Sequence, residues 1–276
     1  MFYIISTNTL DATKRLIDAC EKRNINYQLL NPLTFDLNKN NFSDKDSFYR
    51  VSRIKRARLL DDYLVDKGCV TVKKQESKKN FSRLNTIEQN ELCEKQGIKC
   101  IPTIYFPVLN QNILLKQVEN LNGFPVIVKE MGSSNGGGVM KIDSISSLLS
   151  ILNIVLHSAR GDVVLKKYIE HDEQARIVVL NGVVVGEKAN LRNSDDVIIG
   201  GAGTRFISEK KEYPKEIREM AIKAVEALGL NFGGVDILIG KDGKNYLAEV
   251  NMPCAFTYVE DVAGIDIAGK IVEFLK

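Results

Sequence analysis

Gly234-Val-Asp236-Ile-Leu-Ile-Gly240-Lys-Asp242-Gly243-Lys-Asn-Tyr-Leu-Ala-Glu249-Val-Asn251 reads as a β-hairpin with one acidic face. Asp-Gly between two alternating apolar runs is a strong hairpin signal. A two-residue turn at Asp242-Gly243 sets Lys241 opposite Lys244 and Asp236 opposite Glu249. Alternation then places Asn251 on the face of Glu249, and gathers Val235, Ile237 and Ile239 with Tyr246, Ala248 and Val250 on the other face. Carboxylates directly opposite each other in a sheet repel. Two carboxylates and an amide form an all-oxygen set that suits Mg2+ or Mn2+ shared with substrate phosphates. The competing interpretation is a solvated edge hairpin with incidental acids.

A second stretch, Gly123-Phe-Pro-Val-Ile-Val-Lys129-Glu-Met-Gly132-Ser133-Ser134-Asn135-Gly136-Gly137-Gly138-Val139, is a β run ending in lysine, a Gly/Ser loop and another β run. Backbone N–H groups and hydroxyls of such a loop can lie over phosphates with the lysine beneath. It lacks the Gly-Lys-Ser/Thr ending of a P-loop, and a plain tight turn explains it equally. Val163-Val-Leu-Lys166-Lys167-Tyr168-Ile169 is a strand running into a polar end, either a simple strand terminus or a place where backbone groups read an adenine edge. Arg176 to Lys188 is a hairpin with an Asn181-Gly182 turn, whose register sets Arg176 opposite Glu187.

At 276 residues, 44% hydrophobic and 26% charged, the chain has ordinary globular usage and enough length for one large or two modest cores. No apolar run approaches a membrane span and the N-terminus lacks the basic flank of a signal peptide, so a cytoplasmic location is expected. Five cysteines without a Cys-x-x-Cys pair, beside two histidines, argue against a zinc or disulfide framework. The net charge of +3 conceals a basic region from Arg50 to Arg83, with eleven Lys and Arg against four Asp and Glu. Such a stripe attracts anions if it faces a cleft, and is otherwise a solvated surface. Nucleic-acid binding through it is an alternative that no aromatic-interleaved motif supports.

Along the chain, Phe2 to Ser6, Thr9 to Arg23 and Tyr27 to Leu30 predict a βαβ opening. Residues 38–46 read as loop and 51–65 as helix. A helix from Asn85 to Gln96 stops at Gly97, and a strand lies near Cys100 to Tyr105.

In this order, from Asn85 to the C-terminus, the segments resemble the ATP-grasp superfamily, specifically its RimK-type carboxylate-amine ligases. The resemblance implies an α/β chain of α+β subdomains. A small N-terminal βαβ domain would cover 1–84, and an ATP-grasp domain 85–276, with a lid subdomain at about 112–170 and a catalytic subdomain at about 171–276. It implies ATP and Mg2+ (or Mn2+) as cofactors. Lys129 would lie on the phosphates, Ser133, Ser134, Asn135, Gly136 and Gly137 in the lid loop, and Lys166, Lys167, Tyr168 and Ile169 around adenine. Asp236, Glu249 and Asn251 would hold the metal, with Arg176 steadying an acyl phosphate and Asn251 sharing the catalytic centre. The implied partners are ATP, an amino-acid or peptide carboxylate and an amine, with a homo-oligomer compatible and no membrane. Cys254, beside the metal strand, is read as a packed thiol rather than a nucleophile. Departures from the family pattern lie at Thr86, where a lysine is usual and Arg83 is the nearest cation, at Asp195 to Ala202, and at Met252-Pro253-Cys254. A nucleotide-binding regulator without turnover is the alternative within the same fold.

Overall fold

The structure, a computed structural model, describes residues 1–7, 10–37, 41–74, 85–131, 138–157, 162–192 and 206–276. Strand β1 (Phe2–Ile5), helix α1 (Asp11–Lys22) and β2 (Tyr27–Leu30) form the expected βαβ opening. A third parallel strand, β3 (Ser47–Arg50), pairs with the other edge of β1 to give the order β2-β1-β3. Hydropathy hides this strand because it begins with Ser and ends with Arg, yet all four residues are buried. Asp61 makes that possible. It sits on α2 (Lys55–Asp66), accepts from Arg50 Nε at 2.6 Å, and lies 2.7 Å from Lys73 Nζ. Buried charge is tolerated when paired in this way.

Helix α3 (Thr86–Lys95) starts at an Asn85/Glu88 capping box, and Gly97 beyond its end has φ 72°. Then come β4 (Thr103–Tyr105), α4 (Gln111–Asn120), β5 (Val126–Glu130), β6 (Val139–Ile142), α5 (Ile145–His157) and β7 (Val163–Lys167). The four strands form an antiparallel sheet in the order β4-β7-β5-β6. Leu114, Val118, Leu148 and Leu152 of the helices join Val126, Val128 and Leu165 in one apolar cluster. Because side chains alternate, that packing turns Lys129 and Lys166 together onto the opposite face.

The remaining strands, β8 (His171–Leu180), β9 (Val183–Arg192), β10 (Phe206–Lys210), β11 (Phe232–Gly240) and β12 (Asn245–Asn251), make an antiparallel sheet in the order β10-β9-β8-β11-β12. Helices α6 (Lys215–Ala227) and α7 (Thr257–Ala263) pack against it, and α8 (Ile267–Phe274) packs on α1. The N-terminal unit shares its core, where the rings of Tyr49, Phe232 and Phe256 meet edge to face at 5.7–6.4 Å. Among the described residues no helix is long and apolar enough to cross a membrane.

Two hairpins differ in detail from their expected registers. Asn181-Gly182 is the predicted two-residue turn, with φ of 49° and 73° and Leu180 opposite Val183. A bulge at Val185 then shifts the pairing, so Arg176 faces Lys188 and not Glu187. Glu187 instead accepts from Arg218 Nε at 3.1 Å and the Tyr213 amide at 3.2 Å. In the acidic hairpin the loop has three residues, Lys241 to Gly243, closed by Gly240 N to Lys244 O at 2.9 Å with Gly243 at φ 74°. This sets Ile237 opposite Leu247, one residue off the expectation, and a bulge at Ala248 restores Asp236 opposite Glu249. Leu247 therefore joins Val235 and Ile237 in the main core, while Tyr246 and Ala248 turn to the other face and pack with Leu238, Ile101 and Ile169.

Candidate active site

One cross-strand row organises the site. Lys210 on β10 pairs with Lys188 on β9, Lys188 with Arg176 on β8, Arg176 with Asp236 on β11, and Asp236 with Glu249 on β12. Directly opposed residues share a face, so three cations and two carboxylates lie in line across five strands. Arg176 Nη1 donates to Asp236 Oδ2 at 2.6 Å, and Asn251 Nδ2 to the same oxygen at 3.1 Å. Gly234 makes room: a Cβ there would lie 2.9 Å from Arg176 Nη2 and 2.7 Å from Cys254 Cβ.

The four-stranded sheet closes over the acidic end of this row. Lys129 Nζ donates to Glu249 Oε2 at 2.6 Å, linking residues 120 apart in sequence. Burial alone would raise the Glu249 carboxyl, but the Lys129 ammonium outweighs it and holds the group below its ordinary value. Lys166 is 5% exposed, and among the described residues no carboxylate lies within ion-pair distance of it. Burial, with Lys129 as the second cause, pulls its pKa down to about 8. Cys254 is buried, which pushes its thiol up to about 11 and keeps it a protonated packing group.

A cavity of about 440 Å³ joins these parts, lined by Lys129, Lys166, Glu249 and Asn251 together with Thr86, Gln89 and Asn90 of α3 and Arg53 and Arg58 of the basic region. The stripe is thus divided in its roles. Arg53 and Arg58 face the cavity, Arg50 borders it while bonded to Asp61, Lys73 is paired with Asp61, and Arg56 donates to the Leu33 carbonyl at 3.1 Å. Of the segment expected around adenine, Lys166 lines the cavity. The Lys167 amide donates to Pro102 O at 2.9 Å, the Tyr168 hydroxyl accepts from Arg192 Nη1 at 3.3 Å, and Ile169 is buried in an apolar cluster. Ser133 to Gly137, Arg83 and Asp195 to Ala202 lie outside the described residues. Sequence reasoning missed Lys188 and the polar α3 residues Gln89 and Asn90. The signal for α3 was available, since these follow the Asn85 cap on the first turns of an otherwise polar helix.

The donor chemistry fits a hard divalent cation. Asp236 and Glu249 stand directly opposite with an amide beside them, all oxygen donors, and each carboxylate already draws a cationic side chain to within 2.6 Å. No group of three or more His, Cys, Asp or Glu in metal-binding proximity occurs among the described residues, and Asn251 is the amide that stands beside the facing carboxylates.

Comparison with known proteins agrees with this geometry. The profile of the RimK-like ATP-grasp domain matches residues 87–275. A probable alpha-L-glutamate ligase of Shewanella oneidensis is 27% identical over 290 residues, spanning 97% of this chain and 92% of that protein. The ATP-grasp ligase PsnB, solved with a minimal precursor, superposes with a TM-score of 0.76 at 15% identity over 99% of this chain and 98% of its own. A RimK domain ATP-grasp protein from Sphaerobacter thermophilus gives 0.70 at 16% identity, with 99% and 98% covered. The two structures share the fold, and the profile match carries the family. The chain belongs to the RimK-like ATP-grasp family and is an ATP-dependent ligase that joins a carboxylate to an amine.

Proposed function

We propose that this chain activates the carboxylate of an amino acid or peptide as an acyl phosphate and passes the acyl group to an amine. The observation that carries this reading is the meeting, in one cavity, of two lysines from the four-stranded sheet with Glu249 and Asn251 from the five-stranded sheet. Lys129 and Lys166 bind the ATP phosphates, with Ser133, Ser134, Asn135, Gly136 and Gly137 as further nucleotide-binding residues. The strand end from Lys167 to Ile169 borders the adenine, and Asp236, Glu249 and Asn251 would hold Mg2+. Bound there, the cation would neutralise charge shared by the phosphates and the two carboxylates.

A substrate carboxylate oxygen attacks the γ-phosphorus and ADP leaves. An amine nitrogen then attacks the acyl carbon, phosphate leaves, and the nitrogen loses its proton. Lys129 and Arg176 stabilise charge spread over the transferring group, which is where phosphoryl transfer needs help. Both cations are engaged with Glu249 and Asp236 at 2.6 Å, so they are positioned before substrate arrives. The division into an N-terminal domain of 1–84 and an ATP-grasp domain of 85–276, with a lid at 112–170 and a catalytic part at 171–276, belongs to the same proposal. So does a cytoplasmic setting, which five buried thiols without a disulfide suit.

The test is ADP release across a panel of amino acids and short peptides, with two variants. Glu249→Gln should abolish release while melting cooperatively, and Lys129→Ala should weaken ATP binding by about 1.5–3 kcal/mol, the range for hydrogen bonds to charged groups. Full activity in Glu249→Gln, or unchanged calorimetric ATP affinity in Lys129→Ala, would remove that residue from the site.

A further inference from the structure

Lys188 stands in the row at a place where the sheet has cations and no acid. It is 8% exposed, its direct neighbours across β8 and β10 are Arg176 and Lys210, and among the described residues no carboxylate lies within ion-pair distance of it. Its ammonium donates to Ser208 Oγ at 2.8 Å, and Ser208 in turn donates to Asn190 Oδ1 at 3.1 Å. Tyr258 from α7 sets its ring 5.9 Å from the same nitrogen. Like charges directly opposite in a sheet are unfavourable, and a buried ammonium without a counter-charge is more so. Among the described residues two buried lysines, Lys166 and Lys188, are in this condition. Lys166 lines the cavity assigned to phosphates, and Lys188 stands one strand beyond Arg176, on the side away from Asp236 and Glu249.

We propose that Lys188 is a specificity-determining residue that binds a second anionic group, a carboxylate, on the substrate whose first carboxylate is phosphorylated. This rests on the reading of Asp236, Glu249 and Arg176 as the reacting centre. Adjacent strands lie about 4.8 Å apart. Arg176 is one strand from Asp236 and Lys188 is two, so an acyl group steadied by Arg176 has Lys188 about one strand spacing further on. That spacing suits the two carboxylates of a short dicarboxylate. Ser208 and Asn190 supply neutral hydrogen-bonding groups beside the ammonium, and Asp236 is already bonded to Arg176 and Asn251, so it does not compete for Lys188.

Glutarate and butyrate serve as probes, a five-carbon dicarboxylate and the four-carbon chain that lacks its second carboxylate. Inhibition of ADP release and calorimetric binding to the protein with ADP and Mg2+ read their affinities. The parent should bind glutarate at least tenfold more tightly than butyrate. Lys188→Met, which keeps the volume and removes the charge, should erase that preference, and Lys188→Arg should restore part of it. ATP affinity, measured on the same samples, should stay within about twofold in both variants. A parent without preference for glutarate, or a Lys188→Met protein that retains it, overturns the proposal. If the parent fails to bind ATP and Mg2+ at all, the reacting centre itself is misassigned, which is a different failure.

Discussion

Burial, followed by repulsion from Lys129, lowers the Lys166 ammonium from 10.5 to about 8, so at pH 7 the folded chain carries a charge in a place that resists it. For a group whose folded pKa is lowered in this cationic sense, the unfolded chain binds more protons between the two values. Its contribution to stability is therefore unfavourable below about pH 8 and relaxes as pH rises towards 10.5. Lys166→Met should stabilise the ligand-free protein at pH 7 by on the order of 2–4 kcal/mol, and the gain should vanish near the upper end of that window. ATP affinity should fall in the same variant, because a phosphate is what makes the charge favourable. Chemical denaturation at the two pH values checks the first claim and calorimetry the second. A variant less stable than the parent at pH 7 would show that the stem of Lys166 matters more than its charge.

At the scale of the strand, Gly234 sets the position of Arg176. An added Cβ would meet the guanidinium at 2.9 Å and Cys254 Cβ at 2.7 Å, and the latter cannot swing aside as a flexible side-chain end would. Gly234→Ala should cost about 1–3 kcal/mol, the usual range for overpacking, and should reduce turnover far more than ATP affinity. Parent-like turnover would show that Arg176 has another acceptable position. The same strands show what was legible in the chain. Asp236 faces Glu249 because two one-residue shifts cancel, the longer loop at Lys241 to Gly243 and the bulge at Ala248. The pairing of Arg176 with Glu187 failed because the single bulge at Val185 has nothing to cancel it. Neither Ala248 nor Val185 differs in type from an ordinary strand residue, so periodicity alone cannot see the bulge. Strand β3 was hidden for a related reason, since the acid that neutralises Arg50 arrives from a helix eleven residues on.

On the scale of the molecule, polar links among the described residues tie the two larger sheets together at the site. Lys129 reaches Glu249 across the cavity at 2.6 Å, and the Lys241 amide donates to Glu170 O at 2.8 Å near the hairpin loop. A nucleotide bound between the sheets adds contacts to both, so ligand binding and resistance to unfolding are linked by mass action. At a concentration one hundred times its Kd, MgATP should add about 2.7 kcal/mol. For a chain of this size that corresponds to roughly 5–10 °C in Tm. The shift should need both halves of the site. In Glu249→Gln the part that depends on Mg2+ should disappear, because one carboxylate of the facing pair is gone. In Lys129→Ala the shift should shrink at equal nucleotide concentration, with the Mg2+ dependence retained. Melting curves with ATP alone, with ATP and Mg2+, and with ATP and EDTA separate these outcomes. An equal shift in the parent with Mg2+ and with EDTA would mean that nucleotide binds without a cation at Asp236 and Glu249, and that the acidic face of the hairpin serves some other purpose.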